Sequence, residues 1–273
     1  MVKEITLTNQ STLAIFGSDE NSFMVTSTLI ISNGKALLIG AKFTQADALE
    51  IVDYLKTNQL DLEKVLVIHG DPDYYFGLET IKKAFPDALA IATQPTVHHI
   101  LESLEEKLTV WKDALGDQAP KNVIIPQILT SNSITFGQVE WQLIGSDAGR
   151  VNLWEPESKT LIGGIDTFNE IHLFLADTKS AEALTSWSIR MAELIALDPK
   201  VVIPSHGDVD KSLDISALSY TKEYLAKAIK TLSKVETSED FQAELATTYP
   251  DSKNVGVLAL SSKVLTNEIP WGE

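Results

Sequence analysis

The stretch HGDPDYYFG, His69 to Gly77, constrains this chain more than any other part of it. It follows the apolar run Val65-Leu66-Val67-Ile68, which reads as a short buried strand, and opens onto Leu78–Ala84, whose spacing is helical. A polar loop between a buried strand and a helix is a common place for chemistry. His69, Asp71 and Asp73 alternate along it, so one loop offers several side chains able to ligate a metal or carry a proton. The same residues also suit a plain turn, because Pro72 between two aspartates favours one.

The segments on either side predict a layered α/β protein. Strands are expected at Glu4–Leu7, Thr12–Phe16, Phe23–Ile31 and Ala36–Ile39, with Asn33-Gly34 as a hairpin turn. A helix capped by Thr44 over Gln45–Lys56 precedes the strand of the central motif, and a strand at Ala88–Ala92 and a long helix from Pro95 to about Leu115 follow it. Strands then recur at Asn122–Leu129, Ser133–Phe136, Val139–Ile144, Val151–Glu155 and Thr160–Ile165. They give way to a helix over Ser180–Leu197, a strand at Lys200–Ile203, and helices over Asp214–Val235, Glu239–Tyr249 and Lys253–Leu265. Two halves that each run from sheet to helices predict two facing sheets with helices outside, a four-layer αββα sandwich. No linker or repeat divides the chain, so one domain is expected over residues 1–273, its C-terminal third helical.

Composition narrows the chemistry. The 273 residues carry a net charge of −16, which repels phosphate backbones and anionic lipid heads and argues against nucleic-acid or membrane partners. With no cysteine there are no thiolate ligands or nucleophiles, so any metal must be held by His, Asp or Glu. Met1-Val2-Lys3-Glu4-Ile5 does not begin a secretory leader, and no apolar run approaches the ~20 residues of a membrane span. A cytoplasmic protein acting on a small molecule is expected, and the helical third suits a homodimer.

Several motifs in order resemble the metallo-β-lactamase superfamily. HGDPDYYFG is similar to that family's H-x-H-x-D-H-x-x-G. Gly145-Ser146-Asp147-Ala148-Gly149 stands where the family has G-H-T-x-G, Leu161–Asp166 where it has an apolar strand ending in Gly-Asp, and Val202-Ile203-Pro204-Ser205-His206-Gly207 where it has V-x-P-G-H-G. The resemblance implies the αββα fold and hydrolysis by metal-activated water. One metal's ligands would fall at His69, Asp71 and Ser146, and the other's at Asp73, Tyr74 and His206, with the bridging Asp at Ile165. Only His69, Asp73 and His206 keep the family's residue, and they divide between the two metals. Ser146 is a weak ligand, Tyr74 a poor one unless ionised, and Ile165 cannot bind.

Two functions from different classes follow. In one, a rearranged set of His69, Asp71, Asp73 and His206 holds a single zinc, iron or manganese, and Asp73 and Asp71 serve the activated water. In the other, the pocket survives without a metal and binds a small ligand or a protein partner, or works through His and Asp as base and acid. His172, beyond the strand that would carry the bridging residue, is a candidate for orienting a ligand or for the core. His98-His99 reads as a polar helix face, because adjacent helical residues diverge. Trp111, Trp154, Trp187 and Tyr74-Tyr75-Phe76 suit either a pocket or the core, and Arg150 and Lys42 could make the pocket locally positive.

Overall fold

The computed structural model describes residues 2–271, so Met1, Gly272 and Glu273 lie outside the described residues. The first sheet opens with an antiparallel ribbon of β1 (Val2–Thr6), β2 (Thr12–Phe16), β3 (Ser27–Ser32) and β4 (Lys35–Ile39). The β3–β4 turn places Asn33 and Gly34 at φ 52° and 75°, left-handed angles that Asn and Gly tolerate and a two-residue hairpin needs. Parallel strands β5 (Asp61–Val67), β6 (Leu89–Ala92) and β7 (Gln127–Ile128) complete seven strands in sequential order. Helices α1 (Gln45–Thr57), α2 (Leu78–Ala84) and α3 (Gln94–Leu115) make the crossovers. The side chains of Thr44 and Thr93 cap α1 and α3 by accepting from Asp47 and Thr96 backbone N–H groups.

The second sheet runs in the order β13 (Val201–Ile203), β11 (Thr160–Ile162), β10 (Asn152–Glu155), β9 (Val139–Ile144), β8 (Ser133–Phe136). Its alternation shows the layers. Leu153, Ile162 and Ile203 enter a core shared with the first sheet and α1–α3. Their neighbours Trp154, Leu161 and Val202 enter a second core with α4 (Ala181–Ala196), α5 (Ser216–Leu232), α6 (Ser238–Thr248) and α7 (Val255–Leu265). Both faces of this sheet are therefore covered, in the expected αββα arrangement.

Three departures from the expected strands shape the pocket. The strand expected from Phe23 starts only at Ser27, because Asp19 caps a 3-10 turn at Glu20–Ser22 and Phe23 and Met24 both take φ 54°. The strand expected to reach Ile165 stops at Ile162, where Gly163 N–H bonds the Ile203 carbonyl and the chain turns, closed by Thr167 N–H on the Gly164 carbonyl. That expected over Asn122–Leu129 shrinks to Gln127–Ile128, since Pro126 cannot donate to a ladder. A short parallel pair of β12 (Phe168–Asn169) and β14 (His206–Gly207) was not visible in the sequence.

Candidate functional site

The HGDPDYYFG loop leaves the end of β5 and turns through a 3-10 segment at Pro72–Tyr74, with Pro72 at its first position. It is tied to the end of β4: Ala41 N–H bonds the Tyr74 carbonyl at 2.8 Å, and Gly77 N–H bonds the Lys42 carbonyl at 3.0 Å. Gly77 is required by space, because a Cβ there would collide with the Ala41 carbonyl oxygen and press on the Ala48 methyl. His206 arrives from the other half. β14 pairs it with Phe168, an antiparallel bridge joins it to Val25, and its ring stacks on Phe168 at 4.7 Å and 9°.

Asp73 and His206 meet at the floor of the site, with His206 Nε2 2.9 Å from Asp73 Oδ2 and the side chains only 6% and 10% exposed. A carboxylate only accepts, so Nε2 carries the proton and Nδ1 faces the hydroxyls of Ser205 at 3.0 Å and Tyr74 at 3.4 Å. Burial first, then the charge of Asp73, push the Tyr74 phenol well above its ordinary value, so it stands as an un-ionised hydroxyl.

Asp71 belongs to a separate cluster. Its oxygens lie 3.4 Å from His69 Nδ1, 3.3 Å from His99 Nε2 and 3.2 Å from Lys107 Nζ. Burial alone would raise the Asp71 carboxyl, but His69, His99 and Lys107 outweigh it and hold the group well below the usual range. Asp166, beside the lost bridging position, is buried against two guanidiniums: Arg150 at 2.6 Å, and Arg190, whose Nε and Nη2 both bond the carboxylate.

These groups line one cleft with two compartments. The inner one has about 690 Å³ of free space including its mouth, and Phe23, Phe43, Phe168, Phe174 and Trp187 face it together with Asp73, His172 and His206. The outer one, about 1480 Å³ and more open, is bordered by His69, His99, Ser103 and Asp147 among others. Asp71, Lys107, Trp111, Arg150, Asp177 and Trp271 border both and form the waist between them. Phe23 packs edge-on to Trp111 at 5.3 Å and Phe174 to Trp271 at 5.9 Å, a geometry in which aromatic rings attract.

The candidate residues therefore fare differently. His69, Asp71, Asp73 and His206 reach the cleft, but as two His–Asp pairs rather than one set of ligands. Among the described residues no group of three or more His, Asp or Glu is disposed to hold a metal. Tyr74 lies between the pairs, its ring 5.7 Å from that of His69 and 5.8 Å from that of His206. Ser146 does not join them: it is exposed and donates to Glu193 at 2.6 Å. His172 does face the inner compartment. Lys42 does not make the pocket positive, since it is buried away from both compartments with Nζ on the carbonyls of Phe16 and Val25 and on the Ser18 hydroxyl. Trp154, Tyr75 and Phe76 are core residues.

His99, Ser103, Lys107 and Trp111 recur every four residues on α3, so one helical face supplies an edge of the outer compartment and much of the waist. That spacing was readable in the sequence, although it pointed only to a polar face. Asp177, Trp271 and Asn254 carried no sequence signal.

No protein-family model matches the chain, and no curated protein matches it. Among solved structures, the DIM-1 metallo-β-lactamase aligns with a TM-score of 0.58 at 22% identity, over 83% of this chain and 97% of that one. A metallo-β-lactamase from Pontibacter korlensis gives 0.58 at 19% identity, covering 83% and 99%. VMB-1 gives 0.58 at 19%, covering 83% and 97%. This chain has the metallo-β-lactamase fold. The superfamily resemblance in its motifs and the likeness of its backbone agree, and at these identities the agreement concerns the fold.

That fold implies a divalent metal, and the residues present do not fit one. His206 Nε2 and Asp73 Oδ2 stand 2.9 Å apart, a direct hydrogen-bonding separation and closer than the ~3.3 Å between two ligands of a tetrahedral ion at ~2.0–2.1 Å. Lys107 places an ammonium 3.2 Å from the only other loop carboxylate, Tyr74 is a phenol, and Ile165 stands at the bridge. Fixed cations of the chain now neutralise carboxylates at this site.

Proposed function

We propose that the chain binds a small, largely aromatic molecule in the inner compartment without recruiting a metal. The observation that carries this reading is the closure of the motif's donors on one another and on Lys107, within a cleft that is still open. A pocket with aromatic walls and a few polar groups is the usual form of a small-molecule site. The net charge of −16 supports a neutral or weakly polar ligand over a polyanion, and disfavours nucleic acid and membrane surfaces. Lys107 and Arg150 at the waist are each already matched, to Asp71 and Asp166, so they shape the entrance without leaving a strong unpaired charge.

A second reading rests on a specific feature of Asp73. His206 holds its Oδ2 while the residue faces the inner compartment, which suits Asp73 to take a proton from a water adding to a bound carbonyl, a metal-free hydrolysis. One experiment addresses both readings. Purified protein is screened against small aromatic compounds and esters by ligand-observed NMR, with and without EDTA, alongside metal analysis. Binding unchanged by EDTA, at well under one metal per chain, is expected. Asp73→Asn should abolish any ester turnover while leaving binding in place. Binding or turnover that requires about one bound zinc, iron or manganese would overturn the proposal and restore the mononuclear metal reading of His69, Asp71, Asp73 and His206.

A further inference from the structure

Two buried residues of the inner compartment, His172 and Asn254, stand side by side, and each has one polar atom, Nε2 and Oδ1, without a hydrogen-bond partner among the described residues. Ile171 and Lys253 form a parallel β-bridge, and His172 N–H bonds the Lys253 carbonyl at 2.9 Å, so His172 and Asn254 are the next residues on two paired segments. Both face the inner compartment, at 2% and 4% exposure.

Asn254 is held from three directions. It takes a left-handed conformation at φ 65° ahead of α7, its backbone N–H donates to Glu20 Oε2 at 2.8 Å, and its Nδ2 donates to the Phe23 carbonyl at 3.1 Å. The last bond fixes which end of the amide is oxygen. Oδ1 is then buried with no hydrogen-bond partner, a costly state that proteins rarely tolerate without a reason.

His172 is fixed in the complementary sense. Its Nδ1 lies 2.9 Å from the Tyr224 hydroxyl, which is buried and has no other acceptor among the described residues, so the hydroxyl is assigned as the donor there. Burial also pushes the imidazole down to about 4, so the ring is neutral and its single proton sits on Nε2. Among the described residues that Nε2–H donates to nothing.

Two neighbouring residues of the compartment wall thus carry one unpaired donor and one unpaired acceptor beside aromatic side chains. We infer that the inner compartment recognises a planar cyclic secondary amide, with His172 Nε2–H donating to its carbonyl oxygen and Asn254 Oδ1 accepting from its N–H. A cyclic amide sends C=O and N–H from the same edge, as adjacent wall residues require, whereas an open-chain trans amide sends them in opposite directions. Phe23, Phe43 and Phe174 supply apolar faces for the ring attached to that edge. This rests on the proposal that the compartment takes a small aromatic molecule, and it adds the functional group that is read.

The test uses 2-quinolinone as the probe, with coumarin, in which ring oxygen replaces N–H, and N-methyl-2-quinolinone as controls of nearly the same shape. Dissociation constants are measured by NMR titration of the full chain. Quinolinone should bind about tenfold more tightly than either control, the factor expected when a buried acceptor is left unpaired. Asn254→Gly, which suits the left-handed backbone, should bring the quinolinone-to-coumarin ratio close to one. His172→Phe should weaken both ligands while keeping their ratio. Equal binding of all three compounds by the unaltered chain overturns the amide-edge inference and leaves the aromatic pocket standing, and binding of none overturns both. If either variant fails to fold, the comparison on the unaltered chain decides.

Discussion

Replacing Asp73 by Ala separates a structural His–Asp pair from a metal ligand. The 2.9 Å bond to His206 is charge-assisted, and its side chains are 6% and 10% exposed, so the screening that reduces surface ion pairs to ~0–1 kcal/mol is largely absent. Breaking a fully buried pair costs about 3–5 kcal/mol, an upper bound here because both residues border a cleft from which water can reach the orphaned Nε2–H. A hydrogen bond to a charged group is worth about 1.5–3 kcal/mol, and that range is expected for Asp73→Ala. For a chain of this length it corresponds to a fall in Tm of roughly 3–5 °C. Asp73→Asn keeps an acceptor and should lose about half as much. The assay is urea unfolding of the three proteins with EDTA and with added zinc. An equal loss in both conditions is expected, whereas a loss confined to zinc-loaded protein would show that Asp73 stabilises through a metal and would refute the pairing.

Other perturbations probe separate parts of the account. Gly77→Ala should destabilise by about 3 kcal/mol or more by driving a methyl into the Ala41 carbonyl, and an unchanged urea midpoint would show that the loop can move away from β4. Burial lowers the Lys42 ammonium to about 7 despite Asp47 and Glu50. A folded value below the unfolded one penalises the fold fully below about pH 7, and the penalty fades as pH rises towards 10.5, so stability measured across that window should increase in the native chain and lose the increase in Lys42→Met. The three acceptors on Nζ favour the charged form and keep the change small, on the order of 1–2 kcal/mol. Lys107→Met removes one of the cations that hold the Asp71 carboxyl below the usual range, so its titration followed by NMR should move upward; an unchanged midpoint would show that His69 and His99 alone hold it down.

The fold was largely legible because its elements obey simple periodicities. Ala48, Ile51, Val52 and Leu55 on α1 and the alternation of β8 and β9 were read with boundaries within a residue or two. The site was legible only in part. His69, Asp71, Asp73 and His206 could be marked as candidates for one site, because the ordered motifs that carry them resemble those of the metallo-β-lactamase superfamily. Whether they face a metal or one another depends on partners that no local pattern connects to them: Lys107 and His99 on α3, and Ser205 held by Thr167. Asn254 was invisible for the same reason, because its significance comes from the bridge between its neighbour Lys253 and Ile171 and from its own bond to Phe23.

The most direct test of the central claim is a crystal structure of the chain grown with excess zinc, with anomalous scattering recorded at the zinc edge. His206 Nε2 and Asp73 Oδ2 should remain about 2.9 Å apart with no anomalous peak between them. A zinc ion within ~2.0–2.3 Å of both would contradict it.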